Sequence, residues 1–133
     1  MDEPLLRKVD AVTLAVPDLD AGLDFYIAGL GHELAWRNDD VGQAGLRCPD
    51  SDTEIVLSVD LAPEADWLVA SVQSALEAIV AAGGVVVSAS RAIPVGHVAV
   101  VEDPFGNRLV LVDLGAGRYA TDASGATTGL EQA

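Results

Sequence analysis

The sequence is poor in the side chains that most often carry chemistry: its 133 residues include one cysteine, one methionine, two histidines and two each of Trp, Tyr and Phe. A lone cysteine, Cys48, excludes an internal disulfide framework. It stands beside Pro49 with no cluster of bases to lower its pKa, so it is not expected to act as a nucleophile. Basic residues are also scarce, 7 against 21 acids, for a formal net charge of -14. Such a field repels nucleic acid and anionic membranes and favours a cationic ligand or partner, besides maintaining solubility. The imbalance is greatest early: residues 1–60 hold 13 acids and 4 bases, residues 61–115 hold 6 and 2. No apolar stretch approaches the roughly 20 residues that a membrane-spanning helix needs. The first ten residues carry acids and no apolar core of a signal peptide, which makes the cytoplasm the expected compartment.

What the chain has in quantity is apolar residues, 50% of the total, in short runs broken by Gly, Pro and Asp. That pattern suits one packed domain, expected over residues 1–115. "DAVTLAVPDL" alternates and reads as a strand ended by Pro17. Asp18 then caps a helix carrying Leu19, Leu23, Tyr26, Ile27 and Leu30 on one face, closed by Gly29 and Gly31. "HELAWR", "GQAGLRC" and "TEIVLSV" follow as three short strands.

The order then repeats. Trp67 to Val72 reads as a strand, Ser74 to Ala82 as a helix stopped by Gly83 and Gly84, and "VVVSASR", "GHVAVVE" and "NRLVLVDL" as three more strands. A shift of 56 places Val16 on Val72, Asp18 on Ser74 and Leu23 on Ile79, while a shift of 54 places "EIVL" on "RLVL". Two modules, about 9–60 and 66–114, each expose one face of a short sheet, and pairing buries it. The fold class expected is α+β: two tandem βαβββ modules forming a curved mixed sheet around a pocket. Residues 116–133 are small, polar and patternless and read as a flexible tail.

The words "VPDLDAGLDFYIAGLG" and "VEDPFGNRLVLVDL" closely resemble the vicinal oxygen chelate superfamily, which includes glyoxalase I, extradiol dioxygenases and bleomycin-resistance proteins. The resemblance runs from about Val9 to Leu114. Asp18, Phe25, Tyr26 and the Gly-Leu-Gly exit match its strand-to-helix junction; Asp103, Pro104, Gly106 and Asn107 match its closing hairpin. The hairpin residues also have a plain structural reason, since Pro presets one dihedral and Gly and Asn tolerate positive φ.

The resemblance implies a sheet that cups one small molecule, commonly over a divalent metal held by inward-facing His and Glu. Counted back from Asp18, the first-strand ligand position falls on Ala11; the fourth-strand position falls on Val56, and the repeat equivalents on Trp67 and Val110. None of these side chains donates an electron pair suited to such a metal. By parity Asp10 and Asp66 face away, and Glu54, two residues from Val56, lies roughly 6 to 7 Å toward the rim. The expectation is therefore no metal and no other cofactor. The members then most resembled are metal-free binding proteins that sequester antibiotics such as bleomycin, often as homodimers with acidic surfaces. An enzyme of the same superfamily, a lyase, isomerase or dioxygenase with a relocated metal or an acid-base site, is the alternative, as is a pocket plugged by its own side chains.

The expected small-molecule contacts are Trp36, Glu54, Val56, Trp67, His97, Arg108 and Val110. Trp36 and Trp67 offer flat indoles for a planar ligand, or else fill core space. His97 would serve as a general base if it faces inward, and parity does not decide that, because both faces of its strand are apolar. Glu54 and Arg108 are repeat equivalents that would select a charged ligand near the pocket mouth, or else form solvated ion pairs. His32, after the helix-ending Gly31, suits a helix C-terminus.

Overall fold

The fold is that of a computed structural model describing residues 3–115, 118–121, 125 and 127–131. Two compact units divide the chain, one containing Ala11–Glu64 and the other Ala65–Arg118. The first is built on β1 (Lys8–Ala15), α1 (Leu19–Leu23) continuing into a π-helical turn (Asp24–Gly29), β2 (Glu33–Asn38), β3 (Gln43–Cys48) and β4 (Ser51–Ser58). The second is built on β5 (Glu64–Leu68), α2 (Val72–Ala81), β6 (Val85–Ile93), β7 (Gly96–Glu102) and β8 (Arg108–Asp113). Strand order is β2-β3-β4-β1 in one and β5-β8-β7-β6 in the other. In each, the first strand lies parallel to the last, which is why a helix must cross between them, and the remaining neighbours are antiparallel. The fold is therefore α+β, with tandem βαβββ modules and a mixed sheet, as the repeat implied.

Each helix packs on one face of its own strands. Leu19 is buried with Ala44, Leu46 and Leu57, and Leu23, Tyr26 and Ile27 pack against them. Leu30, expected on the same face, is exposed. The π-helical turn widens the helix after Leu23, so the strict helical spacing that would have carried Leu30 inward fails. In the second unit, Val72 and Ala75 are buried with Val69, Ala99, Val101 and Leu111, and Leu76 and Ile79 complete the stripe. Full burial of Leu57 and Leu111, both at 0% exposure, stabilises by roughly 1.5–3 kcal/mol each.

Two boundaries differ from the sequence reading. The helix expected from Ser74 starts at Val72, because Ser71, with extended backbone (φ -150°), is the N-cap and its Oγ accepts the Ser74 N–H at 3.2 Å. Only that start brings Val72 and Ala75 together onto the sheet. The preceding strand accordingly ends at Leu68 and begins at Glu64, three residues before Trp67. Residues 116–133, expected as a patternless tail, contain two paired strands, β9 (Arg118–Thr121) and β10 (Thr127–Glu131). Their runs, "RYAT" and "TTGLE", hold the Thr and Tyr that suit strands but are too short to show a period. The rest of that expectation lies outside the described residues.

Candidate functional site

Ladder partners present their side chains to the same face, so the register sorts every strand residue onto the helix-packed face or the helix-free one. In the first unit Ala11 pairs with Glu54 and Thr13 with Val56, Val56 with Gly45, and Gly45 with Trp36. These residues share the helix-free face. Ala11, Trp36 and Val56 form a buried cluster there. The indole lies over Gly45, where a Cβ would overlap it, and its Nε1–H donates to Glu54 Oε1 at 2.8 Å. Trp36, Glu54 and Val56 are thus brought together, with Thr13 beside them, a residue the sequence reading did not single out.

The second unit corrects that reading. Asp66 pairs with Val110 and Trp67 with Leu111. Trp67 therefore lies on the helix-packed face and packs against the cluster of Val69, Val72 and Leu111. It does not share the face of Val110. Asp66, dismissed by parity, does share it, and so does Glu64 two residues earlier. The error is traceable to the helix cap: Asp18 and Ser71 are true equivalents, a shift of 53 and not 56. The same seven-residue count that leads from Asp18 to Ala11 leads from Ser71 to Glu64. The equivalent positions on the helix-free faces are then Ala11 and Val56 in one module and Glu64 and Val110 in the other.

A divalent metal is the group that the resemblance implies at these positions. Three of the four side chains are hydrocarbon, Glu64 alone supplies oxygen, and no group of three His, Cys, Asp or Glu gathers with metal-binding geometry among the described residues. This donor set does not fit the metal.

His97 is settled by the same logic. It pairs with Asp113, which faces the helix: Asp113 Oδ2 accepts the Val72 N–H at 2.8 Å, and Oδ1 accepts the His97 N–H at 3.1 Å and lies 3.2 Å from His97 Nδ1. The imidazole is half exposed on the helix-packed face, away from Val110. Burial alone would push the Asp113 carboxyl up, but hydrogen bonds from Val72, His97 and Gly115 outweigh it and hold the group below its ordinary value of 3.8. This carboxylate joins α2, β7 and β8. His32 Nδ1 lies 3.0 Å from the Arg47 carbonyl, and its backbone N–H donates to Tyr26 O, closing the helical segment. Arg108 pairs with Glu102 on the Val110 face. In the turn after β7, Asp103 Oδ1 accepts the N–H groups of Phe105 and Asn107, Asn107 Nδ2 donates to Oδ2, and Gly106 takes φ +90°. These bonds, that of the Asn107 side chain foremost, hold the Asp103 carboxyl below its ordinary value.

A family model described as the Glyoxalase/Bleomycin resistance protein/Dioxygenase superfamily matches residues 8–111. Methylmalonyl-CoA epimerase from Mycobacterium tuberculosis has a similar structure, with a TM-score of 0.67 at 24% identity over 85% of this chain and 91% of that one. A point variant of the Streptomyces coelicolor methylmalonyl-CoA epimerase, in complex with 2-nitronate-propionyl-CoA, gives 0.65 at 23% identity, covering 84% and 96%. BphC, a halotolerant catechol dioxygenase, gives 0.57 at 19% over 83% of this chain and 40% of that one. At these identities the likeness is one of fold. No curated protein matches the sequence at a significant level.

Proposed function

Given that the chain belongs to the glyoxalase, bleomycin-resistance and dioxygenase superfamily, we propose that it binds a small molecule on its helix-free sheet face and performs no metal-dependent chemistry. One observation supports this reading: of the four equivalent helix-free positions, Ala11, Val56 and Val110 are hydrocarbon, leaving Glu64 as the one oxygen donor among them. Metal-dependent members need the ion to polarise substrate oxygens, and this donor set supplies no seat for it. Antibiotic sequestration is the form of binding proposed. The ligand class is a cationic or aromatic molecule, on the strength of the -14 charge and the Trp36 indole. A homodimer in the cytoplasm completes the proposal.

Two measurements test it. Metal analysis of protein purified without chelator should find less than one tenth of a divalent ion per chain, and a stoichiometric ion would sink the reading. Tryptophan emission titrated with a panel of cationic and aromatic antibiotics should change saturably for at least one. Sedimentation velocity checks the dimer.

A second reading, an enzyme working by acid-base catalysis, draws on Glu64 and Asp66 sharing the face of Val110. In this version a carboxylate takes the role that the sequence reading gave to His97. It predicts a turnover that Glu64→Gln abolishes and His97→Ala leaves intact; loss with His97→Ala would exclude this assignment.

A further inference from the structure

β2 is an edge strand with β3 on one side only, and edge strands present unpaired N–H and C=O groups to any other strand that comes near. At Arg37 both outward groups are already taken. Its N–H donates to Gly125 O at 2.7 Å, and its carbonyl accepts from Thr127 Oγ1 at 3.0 Å. The fit is specific. Gly125 has φ +86°, a conformation that costs other residues, and a Cβ there would run into the Leu34 side chain. The Arg37 guanidinium meanwhile binds Asp20 at 3.1 Å and Asp39 at 3.0 Å, tying the strand beneath the contact to α1 and to its own turn.

We propose that the C-terminal segment is a built-in cap for the β2 edge, and that its seat at Arg37 keeps a second copy of this chain from adding a strand there. A second copy is the occupant that the charges favour. The protein carries -14 overall, which drives copies apart, but the six residues of β2 carry one acid, Glu33, and one base, Arg37. The strand's own charges therefore cancel, and they add nothing to the repulsion between copies at this edge. The strand also lacks proline, so its ladder groups are intact. Among the described residues two hydrogen bonds hold the cap at Arg37, each worth about 1 kcal/mol net, against the entropy of ordering the stretch that follows β8.

The test uses the full chain. Amide hydrogen exchange at Arg37 and sedimentation velocity are measured for the wild type, Gly125→Ala, Thr127→Val and Thr127→Ser. The expected result is a protected Arg37 amide in the wild type and in Thr127→Ser. In Gly125→Ala and Thr127→Val its exchange should rise about fivefold or more, with Leu57 unchanged, and both should sediment as a larger species than the wild type at equal concentration. Thr127→Val removes only a hydroxyl, so it serves even if Gly125→Ala fails to fold. The proposal is overturned if the wild-type Arg37 amide exchanges as fast as a free one, if Thr127→Val leaves it protected, or if the opened variants sediment like the wild type.

Discussion

The two units share a ladder but not a register. In the first, Thr13 stands opposite Val56, 43 positions on; in the second, Asp66 stands opposite Val110, 44 positions on. One additional residue between the first and last strands of the second unit is enough to exchange the faces of β5 relative to a constant-shift alignment. The units also start their helices differently. Asp18 Oδ1 alone caps α1 through Ala21 N–H at 2.7 Å, whereas α2 has both the Ser71 hydroxyl and the Asp113 carboxylate. A duplicated fold thus keeps its backbone pairing while its helix ends and face assignments drift. The drift puts a carboxylate, Glu64, at the position where the first unit has the methyl group of Ala11, and it leaves Trp67 on the helix-packed face.

Substitutions at equivalent sites can break or sharpen this comparison. Leu57→Ala and Leu111→Ala should each cost about 3 kcal/mol in urea unfolding, since both side chains are fully buried under a helix. A loss below about 1 kcal/mol for either would show that its unit is not packed like the other. Asp113→Ala should cost about 2–3 kcal/mol, because it strands the buried Val72 N–H. Its pH dependence has a definite sign. The folded carboxyl lies below 3.8, so its stabilisation is complete above about pH 4 and is lost as pH falls through the depressed folded value. Wild-type and Asp113→Asn stabilities should therefore converge on acidification, and curves that stay parallel below about pH 4 would refute the assignment.

Smaller differences follow for the indoles and the caps. Trp36→Phe should cost about 1 kcal/mol more than Trp67→Phe, the worth of the Trp36 bond to Glu54 that only the first substitution removes. Equal losses in thermal melts would mean that the bond contributes nothing. Asp18→Ala should cost about 1 kcal/mol and Ser71→Ala about half that, since Asp113 still holds the start of α2. The reverse order would show that the carboxylate does not act as a second cap.

Most of the architecture was legible because strand alternation, the Gly pairs after each helix and the Asp-Pro-Phe-Gly-Asn turn are local signals with local causes. The first-unit face was legible too, since Asp18 is an unambiguous cap from which the resemblance counts back to Ala11, and the same resemblance puts its fourth-strand position on Val56. The second-unit face was not. Ser71 and Ser74 are equally good caps by residue type, and only the Asp113 carboxylate, 41 positions away from Val72, favours the earlier one. That choice moved the helix-free position from Trp67 to Glu64. His97 was undecidable for the same reason: its face is fixed by its partner Asp113 reaching the helix, a contact that no strand pattern encodes. The C-terminal strands escaped notice because four- and five-residue runs carry too little periodicity.

The parallel pairing of first and last strands also sets an order of assembly during synthesis. β1 has no parallel partner until Ser58 has left the ribosome, and β5 has none until Asp113 has. Each helix therefore forms against an incomplete sheet and waits for the strand that closes its unit. The first unit closes well ahead of the second. The groups of Arg37 that face Gly125 and Thr127 find their partners only after the whole second unit has been made.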